Sequence, residues 1–301
     1  MNTTIEFFTR DTEQVALFPL AEAVFHAAEA RLSRFLPDSE LCDLNRRSGH
    51  EVEVSQELFS IVERAIYFYQ FTGGIFNPAI LSDLEMAGYD RSFEKVAPSA
   101  EKPSATVHRT TNAPPDIRLD RSRSSLTLPL GMRLDLGGIG KGHTVDEASL
   151  VLSEAHNFVV NAGGDIFASG SGADGDGWLV AIDDPRNRAN TIAAVRLYDE
   201  ALATSTTAVR RWKRGGAVLH HLIDPETGRP SESGVLSVSV VARQATEADV
   251  FAKTALLLGH LEGVRFLQER SVPGLFVMDD DTTFGTKDWN GSIEDVKRRN
   301  C

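Results

Sequence analysis

Arg133-Leu134-Asp135-Leu136-Gly137-Gly138-Ile139-Gly140-Lys141-Gly142-His143-Thr144-Val145-Asp146-Glu147-Ala148 packs four glycines, a lysine and two aspartates between apolar residues. The stretch reads as a strand that ends in an anion cradle and passes into a helix. Glycines let the backbone turn its N–H groups toward a ligand, a following helix offers its positive N-terminus, and Lys141 adds a full charge beside them. Phosphate is the natural guest. Two common nucleotide motifs fail on spacing. A P-loop requires glycine where this chain has Asp135 and Ser or Thr where it has Gly142, and a dinucleotide G-x-G-x-x-G starting at Gly138 requires glycine at His143. A tight strand-to-helix turn with no ligand explains the glycines taken alone, so the flanking chain has to decide.

Composition narrows the field. Of 301 residues, 42% are hydrophobic and 25% charged, which suits a globular protein and gives no sign of disorder or a repeat array. A net charge of −12 argues against a nucleic-acid partner, because phosphate backbones are held by clustered Lys and Arg. Any anionic ligand therefore needs a local site. Met1–Arg10 lacks the basic start and apolar run of a secretory leader, and no apolar stretch reaches spanning length. The expected location is the cytoplasm, with no membrane partner. Cys42 and Cys301 have no metal-binding spacing, and the oligomeric state is left open.

Leu20, Val24, Ala27, Ala28 and Leu32 recur at helical spacing after Pro19, which predicts an amphipathic helix over 20–35, stopped by Pro37-Asp38-Ser39. A second helix is predicted from Ser55 as N-cap, with Leu58, Ile61, Val62, Ala65, Ile66 and Tyr69 on one face and Gly73-Gly74 at its end. Residues 97–115 are rich in Pro, Ser, Thr and Ala without periodicity and read as a flexible insertion. Short β-type runs follow at 125–130, 158–160, 178–182, 192–197, 217–223, 235–242 and 275–278. Helices are predicted at 143–152, from an N-cap at Thr246 to Gly259, and at 261–269. This order is α+β, a mostly antiparallel sheet with packed helices, taken as one domain spanning 1–301.

Three further segments carry candidate chemistry, each with a plain alternative. Asn161-Ala162-Gly163-Gly164-Asp165-Ile166 follows an apolar run and combines glycines with a carboxylate; a hairpin turn explains it equally well. His221-Leu222-Ile223-Asp224-Pro225-Glu226-Thr227-Gly228-Arg229-Pro230 places a histidine and an aspartate at the mouth of a turn, where Asp224 alone is accounted for as a turn cap. Asp249 is explained as compensation of a helix dipole.

Read in order with Pro37-Asp38-Ser39-Glu40-Leu41, Leu44-Asn45, Thr72-Gly73-Gly74-Ile75-Phe76-Asn77-Pro78, Ala203-Thr204-Ser205 and Ala248-Asp249, these segments resemble the ApbE family, the FAD:protein FMN transferases. The resemblance spans most of the chain and implies an ApbE-like, T-fold-like architecture. It implies FAD as substrate and an acceptor flavoprotein whose threonine or serine hydroxyl receives FMN, with AMP released and Mg2+ assisting. It matches His221 to the general base, a role a neutral imidazole can fill near neutral pH. The flavin nucleotide falls to Phe76, Asn77, Asp135, Gly137, Gly138, Lys141, Gly163, Gly164, Asp165, Ser205 and Asp224. The Gly138 carbonyl and the Asp249 carboxylate match the family's metal ligands, oxygens that suit magnesium.

The departures are specific. Where the family carries threonine as a metal ligand four residues after the aspartate, this chain has Lys253, and Thr254 is rotated from that face by about 100°. Lys253 is instead placed to pair with Asp249 at i, i+4 or to take over part of the metal's electrostatic role. Asn77 stands where aspartate is common, and Thr206 where glycine is common. Two alternatives accompany the transferase: an FAD or FMN carrier of the same fold, and a pyrophosphatase that splits FAD into FMN and AMP.

Overall fold

The computed structural model describes residues 3–10, 12–100, 113–172 and 174–293. They form two compact units, one built from Phe25–Gly140 and Arg210–Ser231, the other from Thr3–Val24, Lys141–Val209 and the chain from Glu232 onward. The helices are α1 (Phe18–Leu32), α2 (Glu40–Arg46), α3 (Gln56–Phe71), α4 (Leu81–Met86), α5 (Gly140–Val151) and α6 (Ala245–Gln268). Most of the insertion predicted at 97–115 lies outside the described residues; at its near end Ser99 bridges to Arg214.

The unit that contains Lys141 is organised by a seven-stranded sheet whose spatial order is its chain order: β1 (Ile5–Thr9), β2 (Phe158–Ala162), β3 (Asp165–Ser169), β4 (Glu200–Thr206), β5 (Val235–Ala242), β6 (Gly274–Met278) and β7 (Thr283–Gly285). Every neighbouring pair is antiparallel. Side chains alternate between its faces. Val159, Ile166, Leu202 and Val241 lie on one face with Ile182, Ile192, Val195 and Leu197, which come from a second antiparallel sheet of Trp178–Asp184, Asn187–Leu197 and Ser292–Ile293. Helix α6 packs along β4 and β5.

Three local details in this unit differ from the sequence expectation. Helix α5 starts at Gly140, not His143, because a turn closed by the Gly140 N–H on the Leu136 carbonyl (2.7 Å) leads directly into it, which puts Lys141 in its first turn. The runs predicted at 246–259 and 261–269 form the single element α6, broken at Gly259 (φ 79°, ψ −172°). Thr246 lies inside α6 and is not its N-cap. Asp146 of α5 does the capping, accepting the N–H groups of Ala245 (2.7 Å) and Thr246 (3.0 Å) and the Thr246 hydroxyl. The two helix starts lie so close that a Cβ at Gly142 would sit 2.4 Å from the Ala245 carbonyl oxygen. Gly142 is therefore required for packing, independently of any ligand.

In the other unit Ser55 caps α3 by accepting the Leu58 N–H (3.2 Å), as its sequence predicts. Ser39 does the same for α2 with Cys42 (3.1 Å), whereas α1 already ends at Leu32, before the predicted stop at Pro37-Asp38-Ser39. Leu41, Leu44, Leu58, Ile61, Leu126 and Leu136 are fully or almost fully buried, and Glu51–Glu53, Ser125–Thr127 and Arg118–Asp120 form a small antiparallel sheet. Residues 132–136 belong to no strand or helix, against the strand expected there. The Asn45 side chain replaces a neighbouring strand: its Nδ2 donates to the Leu134 carbonyl (2.9 Å) and its Oδ1 accepts the Leu134 N–H (2.8 Å). The strand predicted at 217–223 is interrupted, Ala217–His220 pairing with Arg211–Arg214 and Ile223–Asp224 with Arg229–Pro230.

Candidate functional site

In the seven-stranded unit, Asp165 opens β3 directly after the Gly163-Gly164 turn, whose residues have φ of 67° and 101°. The Gly164 N–H is held by Asn161 Oδ1 at 2.9 Å. Because Ile166 and Ala168 belong to the inter-sheet core, alternation sends Asp165 to the opposite face. There it is 1% exposed and accepts the Lys141 ammonium on Oδ2. Helix α6 adds Asp249, 4% exposed, and Lys253 one turn later, whose Nζ lies 3.3 Å from Asp249 Oδ1. Asp249 Oδ2 is buried and has no hydrogen-bond partner among the described residues. Burial drives the Asp165 carboxyl up to about 6, the neighbouring Asp249 charge adds to this, and Lys141 and Lys253 pull the other way. Removal from water thus outweighs the ammonium partner. Ser205 is buried on β4 opposite Val238. Thr254 is committed elsewhere, its hydroxyl donating to the Val250 carbonyl (2.8 Å).

The unit that contains His221 gathers a second group. Asp135 accepts Arg34 Nε on Oδ2 (2.6 Å) and the Gly137 N–H on Oδ1 (2.8 Å), while its own N–H donates to the Pro78 carbonyl (2.8 Å). The Arg34 guanidinium stacks over Phe35 (4.1 Å) and Tyr89 (4.5 Å), and its Nη2 is buried without a hydrogen-bond partner among the described residues. The His221 ring meets Tyr89 edge-on with centroids 6.4 Å apart. Burial raises the Tyr89 hydroxyl above the usual phenol range, against the pull of Arg210 and Arg34. His220, next in sequence to His221, is fixed by structure. Its Nε2 lies 2.9 Å from the Ser231 carbonyl, which requires a proton on that nitrogen, and Nδ1 accepts the Leu222 N–H (3.3 Å). Burial keeps this imidazole below the ordinary histidine value.

The remaining candidates have local partners. Phe76 is buried edge-on to Phe68 (6.4 Å), with its N–H on the Thr72 hydroxyl (3.0 Å). Asn77 Oδ1 accepts the Ala79 N–H (2.8 Å). Asp224 accepts the Glu226 N–H (2.8 Å) and the Thr227 hydroxyl (3.0 Å), which closes the turn. Gly138 lies partly exposed between Gly137 and the start of α5. Arg34, Tyr89 and Asp146 were not singled out by sequence. Arg34 had one legible signal, a charged residue beside an aromatic just where the helical pattern of α1 gives out.

A divalent cation fits this donor set poorly. Magnesium requires near-octahedral oxygen coordination, yet each buried carboxylate already holds an ammonium, and Asp249 Oδ2 is the one orphaned carboxylate oxygen of the Asp165–Asp249 pair. No group of three or more His, Cys, Asp or Glu able to hold a metal occurs among the described residues.

A profile of the ApbE family matches residues 1–276. The chain belongs to the ApbE family. Among the relatives it resembles, the FAD:protein FMN transferase of Treponema pallidum is 34% identical over 278 residues, covering 84% of this chain and 74% of the relative. The FAD:protein FMN transferase of Vibrio cholerae is 27% identical, covering 84% and 77%. Among solved structures, the ApbE protein of Thermotoga maritima superposes with a TM-score of 0.81 at 24% identity over 95% of this chain and 94% of that one. The α+β fold with its mostly antiparallel sheets is thus the ApbE fold. Within the ApbE frame, the Lys141–Asp165 and Asp249–Lys253 pairs cluster in one unit, and Asp135 and His221 share the Arg34–Tyr89 surroundings in the other.

Proposed function

We propose that this ApbE protein transfers the FMN moiety of FAD to a threonine or serine hydroxyl of an acceptor protein. The hydroxyl oxygen bonds to the flavin-side phosphorus of the pyrophosphate, the bond from that phosphorus to the bridging oxygen breaks, and AMP leaves with that oxygen. The hydroxyl proton passes to His221, while Lys141 and the first-turn N–H groups of α5 face phosphate charge. The fixation of His220 by Ser231 and Leu222 favours His221 for the moving proton. The observation that carries the reading is the 34% identity to an FAD:protein FMN transferase across 84% of the chain.

Incubation with FAD and a domain bearing an acceptor threonine tests it: mass spectrometry should find the acceptor heavier by one FMN, with AMP in equal amount. His221→Ala should keep FAD binding and lose labelling by about 10²–10⁴-fold, the scale of a missing general base. Tight FAD retention with neither labelling nor AMP would support the carrier reading, and AMP with FMN released free would support the pyrophosphatase.

A further inference from the structure

Negative charge accumulates on the departing phosphate of such a transfer, and enzymes commonly answer it with a divalent ion. Here the cluster that would receive the ion is already balanced, with two buried carboxylates, Asp165 and Asp249, and two ammoniums, Lys141 and Lys253. We infer that Lys253 is a built-in cation standing in place of the metal, so that this chain binds FAD and transfers FMN without a divalent ion. The inference rests on the flavin-transferase reading of the same residues.

Three observations carry it. Lys253 is not a solvated surface charge: its side chain is 16% exposed and its ammonium lies against a carboxylate that is itself 6% exposed. A dication added to the balanced cluster would leave two excess positive charges in a nearly dry environment, which is costly. Nor do the threonine hydroxyls of the helix offer oxygens for a coordination shell, since Thr254 is spent on the Val250 carbonyl and Thr246 on Asp146. An ammonium is chemically adequate for the task, because lysine serves as a point-charge partner of phosphate oxygens. The orphaned Asp249 Oδ2 then accepts a donor from the substrate complex and need not coordinate metal.

Metal-stripped protein provides the test, with FAD affinity read by flavin fluorescence quenching and transfer read by acceptor mass. Wild type should change by less than about twofold in both between excess EDTA and excess magnesium, because the ammonium stays in place. Lys253→Thr restores an oxygen in place of the charge, and in EDTA it should lose about tenfold or more in FAD affinity and regain it with magnesium. Lys253→Met should lose affinity in both media, and Lys253→Arg should retain it. Wild-type affinity or labelling that collapses in EDTA and returns with magnesium would overturn the inference, and this arm needs no variant to fold. FAD binding absent in every medium would instead overturn the flavin reading, an outcome distinguishable because the fluorescence shows no bound flavin even in wild type.

Discussion

Replacing Arg34 by methionine strands the Asp135 carboxylate, which is 12% exposed and has Arg34 as its charged partner. Breaking a buried pair from one side costs about 3–5 kcal/mol, so the urea midpoint should fall sharply. The double variant Arg34→Met/Asp135→Asn should recover much of that loss. Asp165 allows a prediction with a sign. Its carboxyl rises from 3.8 to about 6 in the fold, so the folded state takes up a proton before the unfolded state does. Stability from this group therefore increases as pH falls from about 6 toward 3.8, and the penalty is fully present above 6. Asp165→Asn removes this slope, worth up to about 3 kcal/mol across the window, and the difference between the two pH–stability curves measures it. Residues whose role depends on a sequence-local pattern, such as Ser55 before its helix, were legible. So was the Asp249–Lys253 pair, since i, i+4 spacing fixes its geometry. Arg34 was not, because its partner is a hundred residues away and nothing local links them.

Gly259 illustrates the scale of the element. Its φ of 79° and ψ of −172° lie in a region essentially reserved for glycine, and Gly259→Ala should cost about 1–3 kcal/mol. Chemical denaturation should show this as a lower midpoint at unchanged slope. Periodicity found both arms of α6 and the glycine between them, yet placed the N-cap at Thr246. That position is supplied with an acceptor by Asp146, a carboxylate from another helix, and tertiary capping leaves no trace in the local sequence. Strand β4 went unread for a different reason. Glu200-Ala201-Leu202-Ala203-Thr204-Ser205-Thr206 carries one large apolar side chain, and its small residues suit a strand with Leu202 on the inter-sheet face and α6 packed along it. The run at 132–136 misled in the opposite direction. It has strand-like residues, but its hydrogen bonds go to an asparagine side chain and a proline carbonyl.

For the molecule as a whole, a ligand that binds only the folded chain stabilises it by mass action. FAD at about a hundredfold excess over its dissociation constant should add about 2.7 kcal/mol, and a thermal melt unmoved by FAD would remove the basis of every flavin role assigned above. The interleaved connectivity of the two units was not legible, because no linker composition marks the points where the chain leaves one unit for the other. That connectivity also sets a timetable for synthesis. Ile5–Thr9 is synthesised well before its register partners Phe158–Ala162, which at translation speeds of about 5–20 residues per second arrive roughly 8–30 s later. Until then Phe7 and Phe8 ride on an unpaired strand. The nascent chain therefore exposes an adhesive edge throughout that interval, and the yield of folded protein depends on what shields it until the partner strand is made.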